Sequence, residues 1–265
     1  MSSSRHHCVL AVLNALQHTT LAQLGSLFAR VQAMDSKMKR IHGTVKEPVE
    51  KFVAWNEKEE TGWGKTKARV DLAAIALFTE LWVLTTYKKK RLYEKQQGNF
   101  PRAVWENLDG SRSLQYTVCV RFPAGFDDRC FDSWITWDVR AHGDGRKEYI
   151  IVLVPIDEYK GRTRHKLKGT EKMKAAWTRG VFIVRELTEN TCEWTRVQQV
   201  NLKVSLPKPV MDMLTKNELG MANRFQEEYR RNGNDVDKET RLAIAKIMKE
   251  RRGVPLTADQ EVRMA

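Results

Sequence analysis

At 265 residues the chain is long enough to bury a real core and to form one or two domains. Its 42% hydrophobic and 30% charged content reads as soluble and globular, and no apolar run reaches the roughly eighteen residues a membrane-crossing helix needs. The net charge of +13 favours an acidic partner, an anionic membrane surface or a nucleic acid, and charge alone does not choose between them.

Residues 1–34 contain no Asp or Glu, a trait of organelle transit segments, but Arg5 and Arg30 are sparse positive charge for such a signal. Cytoplasmic placement with peripheral membrane contact is the expectation, and targeting stays open. Leu24, Leu27, Val31, Met34, Met38 and Ile41 recur in alternating steps of three and four. That rhythm suits a coiled coil or an ordinary amphipathic helix packed on the domain or on a partner. Gly43 stands where such a helix would end. Residues 1–43 are therefore read as an N-terminal helical segment, with 21–42 the surface for any protein partner. Residues 44–60 read as a charged linker with a short helix around Val49–Trp55.

Thr61-Gly62-Trp63-Gly64 reads as a turn entering a strand over Lys65–Asp71, where Thr66, Ala68 and Val70 alternate with basic residues. A helix is predicted over Leu72–Lys95, with Ile75, Phe78, Leu81 and Trp82 on its apolar face. Strands follow at Val104–Glu106, Leu114–Phe122, Cys130–Arg140 and Glu148–Pro155. Asp157–Lys174 is a basic surface loop. The hairpin Gly180–Glu186 and Cys192–Leu202 then leads into a long amphipathic helix from Ser205 to about Arg231. Lys238–Arg252 forms a basic helix within the tail 233–265. The order of strand, helix, antiparallel strands and closing helix gives an α+β class.

Little in the chain points to chemistry. There is no G-x-S-x-G, H-E-x-x-H or P-loop motif, so no enzyme is expected. Cys8, Cys119, Cys130 and Cys192 form no C-x-x-C pair, and no histidine falls at a metal-ligand spacing. Reduced core thiols, no metal and no cofactor are the expectation. The scattered basic residues lack a recognition-helix or RNP-like signature, which argues against nucleic acid.

The stretch Gln199 to Lys208, with Leu206-Pro207-Lys208, resembles the end of a START domain, the steroidogenic-acute-regulatory-related lipid-transfer family. Ala222-Asn223-Arg224-Phe225, the segment from Arg121-Phe122-Pro123 to Arg129-Cys130-Phe131, and the strands at Glu148–Pro155 and Gly180–Arg185 are similar in order. The resemblance spans about Thr61 to Asn232, with Asn201 in place of the usual acid and Val204 in place of the usual glycine. It implies a helix-grip fold (START/Bet v 1-like), a curved antiparallel sheet closed by a long C-terminal helix around an apolar cavity.

On that reading residues 61–232 bind one lipid or sterol-like molecule, for transfer or sensing. The expected lining is Ile135, Trp137, Val152, Val154, Phe182, Val184, Thr195 and Val197 from the sheet. Val210, Met213, Leu214, Met221 and Phe225 would come from the closing helix. Arg196 and Gln198 are assigned to the solvent face. The competing reading is an interaction or scaffold module acting through its N-terminal helix.

Overall fold

The computed structural model describes residues 39–41, 49–56, 61–82, 102–106, 113–122, 125–141, 143–158 and 165–204. In chain order the elements are β1 (Lys39–Ile41), β2 (Val49–Asn56), β3 (Thr61–Val70), α1 (Ala74–Trp82), β4 (Arg102–Glu106) and β5 (Ser113–Val120). They continue with β6 (Arg129–Ala141), β7 (Lys147–Pro155), a 3-10 turn (Ile156–Glu158), β8 (Lys174–Thr188) and β9 (Thr191–Asn201).

The nine strands form one sheet in the order β1-β2-β3-β9-β8-β7-β6-β5-β4, each antiparallel to its neighbours. Strand β7 stops at Pro155, opposite Ser133, and its pairing with β8 ends at Leu153 and Gly180. The first residues of β8 therefore run on past β7 and pair in parallel with β6, Arg129–Phe131 against Lys174–Ala176. This second pairing helps curl the sheet towards a half-barrel, in the direction that strand twist already favours.

Alternation divides the sheet into two faces. Helix α1 follows β3 and lies on the concave one. Its first turn forms on the Ala73 carbonyl, which accepts from the amides of Ala76 and Leu77. Leu77, Phe78 and Leu81 are buried in a core with Trp137, Tyr149, Val184, Cys192 and Trp194. The Phe78 ring meets Trp137 edge-on at 5.9 Å and lies 5.0 Å from Tyr149. Full burial of an aromatic or aliphatic side chain of this size contributes about 1.5–3 kcal/mol, which is how a nine-residue helix is held in place.

Several expectations change. Val49–Asn56 is a strand paired along its whole length with β3, not a linker holding a short helix. Lys39–Ile41 is a strand against β2, so the N-terminal helical pattern does not run through Ile41. Thr61–Gly64 belongs to β3, where Gly62 and Gly64 pair with Val200 and Gln198. In each case the sheet supplies hydrogen-bond partners that local propensity does not see. The helix predicted over 72–95 is observed from Ala74 to Trp82. The rest of that helix, the segment 1–38, the closing helix from Ser205 and the tail lie outside the described residues.

Candidate ligand-binding face

Along the strand pairs, rows of concave side chains can be followed across the sheet. One row runs Trp194, Val184, Tyr149, and sits under α1. The next runs Lys51, Thr66, Arg196, Phe182, Ile151, Trp137. Beyond it come Gly64, Gln198, Gly180, Leu153 and Ile135, then Val200 and Thr178 on one side of Pro155 and Ser133 on the other. The face is therefore graded. Apolar side chains and α1 fill the end where β9 starts, while polar groups and glycines mark the end where β9 finishes.

Buried Arg196, Thr178 and Ser133 and half-buried Gln198 make up the polar end. Arg196 is only 5% exposed, against the expectation of a solvent position. Its Nε donates to Gln198 Oε1 at 2.7 Å and Nη2 donates to the same oxygen. The guanidinium carbon lies 5.4 Å from the Phe182 ring centre, a cation–π arrangement. Gln198 in turn donates through Nε2 to Thr178 Oγ1, which donates to the Gln199 carbonyl at 3.1 Å. Ser133 is 1% exposed, and its Oγ has no hydrogen-bond partner among the described residues. A buried hydroxyl left unsatisfied is costly.

Of the predicted lining residues, Ile135, Trp137, Phe182 and Val184 share the concave face. Trp137 and Val184 sit in the core beneath α1, while Phe182 borders Arg196. Val152, Val154, Thr195 and Val197 have the other parity and lie on the convex face. In β7 the residues Tyr149 to Pro155 are buried at both parities, so alternation could not choose a side. In β9 the polar character of Arg196 and Gln198 pointed outward. Trp194 shares their parity and is buried, and that was the available signal. Val210, Met213, Leu214, Met221 and Phe225 lie outside the described residues, as do residues 1–38 of the N-terminal segment. Lys51, also buried on the concave side, was hidden in the supposed linker.

On the convex side, Gln199 donates to Thr61 Oγ1 at 2.6 Å and fixes the register of β9 against β3. Asn201 Oδ1 accepts from the Lys203 amide at 2.7 Å. The three described cysteines, Cys119, Cys130 and Cys192, are buried thiols that form no disulfide among the described residues. The Cys119 and Cys130 sulfurs lie 3.5 Å apart, and their hydrogen bond, followed by burial, pushes the Cys130 thiol far up. Burial, then the nearby Asp71 charge, pushes Cys192 up to about 12. Cys130 and Cys192 are therefore thiols rather than thiolates at neutral pH.

No family model and no curated protein matches the sequence. Solved structures do match in fold. The human STARD10 structure is 16% identical, covers 87% of this chain and 91% of its own, and gives a TM-score of 0.55. Human StAR-related lipid transfer protein 5 is 11% identical, with 79% and 97% covered and a TM-score of 0.53. The human StarD13 lipid transfer and protein localization domain is 12% identical, with 75% and 93% covered and a TM-score of 0.52. At these identities the likeness establishes a shared fold.

Proposed function

We propose that this START-like domain binds one lipid or sterol-like molecule against its concave face and carries or senses it, without catalysing a reaction. The grading of that face supports the reading most strongly. An amphiphile needs an apolar wall with a few placed polar groups at one end, and here Phe182, Ile151, Leu153 and Ile135 lead to Arg196, Gln198, Thr178 and Ser133. Two of the matched structures are named for lipid transfer, which supports the same reading.

The energetics suffice without a covalent or metal contact. About ten buried methylenes contribute about 8 kcal/mol, which corresponds to micromolar affinity before ordering costs. Loading requires contact with a membrane. Exposed Lys166, Lys168, Lys172 and Lys174 precede or open β8, at the end of the sheet that carries the polar groups. Phe126, 37% exposed, projects from the loop before β6 at that same end. Each basic residue near an anionic surface contributes about 1 kcal/mol, and the exposed Asp127 and Glu171 reduce the total.

The test is extraction. The full chain is incubated with vesicles of mixed natural lipids, reisolated by gel filtration and analysed by mass spectrometry. About one lipid per chain is expected. A chain that returns lipid-free, and moves no lipid between donor and acceptor vesicles, removes the reading.

A further inference from the structure

Cys119 and Cys130 are direct partners across the β5–β6 pair and share its convex side with Gln115, Thr117, Asp132 and Trp134. Their side chains lean together, so that the Cys119 thiol donates to the Cys130 sulfur at 3.5 Å. We propose that this pair is a site of oxidative modification, a dithiol that closes to a disulfide joining β5 to β6 beneath the 165–173 segment.

The backbone is already set for the bond. Residues directly opposed on antiparallel strands have Cα atoms about 4.5 or 5.5 Å apart, and disulfides span both distances. The sulfurs must approach by about 1.5 Å, a movement that side-chain rotation supplies with the strands in place. Cys192 differs, because its partners across the neighbouring strands are Val70 and Glu186. The bridge ties together the two ends of the connection that carries Phe126.

The pair is also covered. Leu167 and Met173 pack against the two cysteines, and the Thr170 side chain reaches Cys130. This cover is fastened at both ends. Gln115 holds the His165 backbone, and the Lys174 amide donates to the Asp128 carbonyl at 2.9 Å. While it is closed, both thiols are out of water and Cys130 keeps its proton, so the pair resists attack. Reaction therefore waits on the segment lifting, and its fastening sets the rate.

The oxidant is a low-molecular-weight disulfide of the glutathione class. The thiolate of one cysteine attacks it, giving a mixed disulfide and releasing one reagent thiol. The second cysteine then attacks the protein sulfur and releases the other. Two protein S–H bonds and the reagent S–S bond break, while one protein S–S bond and two reagent S–H bonds form. Two electrons and two protons pass from the protein to the reagent.

The experiment holds the full, folded chain in glutathione buffers running from reduced to oxidised. Samples are quenched in acid, alkylated in denaturant and mapped by peptide mass spectrometry. Cys119 joined to Cys130 is expected as the main protein disulfide, about tenfold or more above any other pairing, and reduced glutathione reopens it. A bond that the folded state favours about tenfold over the unfolded state strengthens folding by the same factor, so the bridged chain has the higher urea midpoint. Cys119→Ala and Cys130→Ala, with their fold verified by circular dichroism, lose both the bridge and that rise. Gln115→Ala unfastens the cover and is expected to reach its end point about fivefold faster. Both cysteines recovered as alkylated thiols, or as separate glutathione adducts, at the oxidised end overturn the proposal. A Cys119–Cys130 bridge no commoner than pairings with Cys8 or Cys192 overturns it too, since that is the pattern of an unfolded chain. An unchanged rate in Gln115→Ala overturns the covering role of the 165–173 segment.

Discussion

Gly180 faces Gln198 across the β8–β9 pair so closely that a methyl group at Gly180 would lie 2.5 Å from the Val197 carbonyl oxygen and 3.1 Å from the Gln198 Cα. The nearest atoms are backbone, so they cannot rotate away as a side chain would. Gly180→Ala must push two strands apart where β8 leaves β7. The expected cost is about 1–3 kcal/mol, read as a lower urea midpoint. An unchanged midpoint would mean that the strands are not in this register.

Phe78 is the contact through which α1 holds Trp137 and Tyr149. Phe78→Ala removes both ring contacts and leaves a cavity in the fully buried centre of the core. Such truncations cost about 3–5 kcal/mol. Equilibrium denaturation of this variant should show a loss in that range. A loss below about 1 kcal/mol would place the helix elsewhere.

Gln115 is buried and locks the segment before β8 onto β5. Its Nε2 donates to the His165 carbonyl at 2.7 Å, and the His165 amide donates to its Oε1 at 2.9 Å. Gln115→Ala leaves two backbone groups without these partners, a cost of about 1–3 kcal/mol. Limited proteolysis should cut the 165–173 segment faster in the variant. Equal cutting rates would contradict the lock.

Cys192 gives stability an alkaline limb. Below pH 9 both the folded and the unfolded protein keep this thiol protonated, and its contribution is whole. From its ordinary value of 9.0 up to about 12, the unfolded thiol ionises while the folded one retains its proton, so stability falls as pH rises. The slope approaches about 1.4 kcal/mol per pH unit for this group. Cys192→Ala should flatten the limb by that amount in denaturation curves at successive pH values. Identical slopes in parent and variant would refute the assignment.

What the sequence disclosed, and what it hid, follows from burial. Strands with one clean alternation were legible: in β6, Phe131, Ser133, Ile135 and Trp137 fall on one face as read. The β8–β9 hairpin, with its Glu189-Asn190 turn, was legible because turn residues punctuate it. In β7 the face could not be chosen, since Ile150 to Val154 are buried on both sides. Strand β2 was hidden by Glu50 and Lys51, whose charges look like linker although Lys51 is buried. Arg196 was hidden for a related reason. A charged residue on a concave wall is unusual enough that polarity argued for solvent, and only its parity with Trp194 argued otherwise.

The claim that ligand sits on the concave side near the end of β9 is tested most directly by photo-crosslinking. A fatty acid carrying a diazirine in its chain is loaded from vesicles, irradiated, and the adducts are mapped by peptide mass spectrometry. Labels concentrated at concave positions of β8 and β9, such as Phe182 and Val200, with Val152, Val154 and Val197 unlabelled, are the predicted result. Adducts on those convex valines, or an even scatter over the surface, would contradict it.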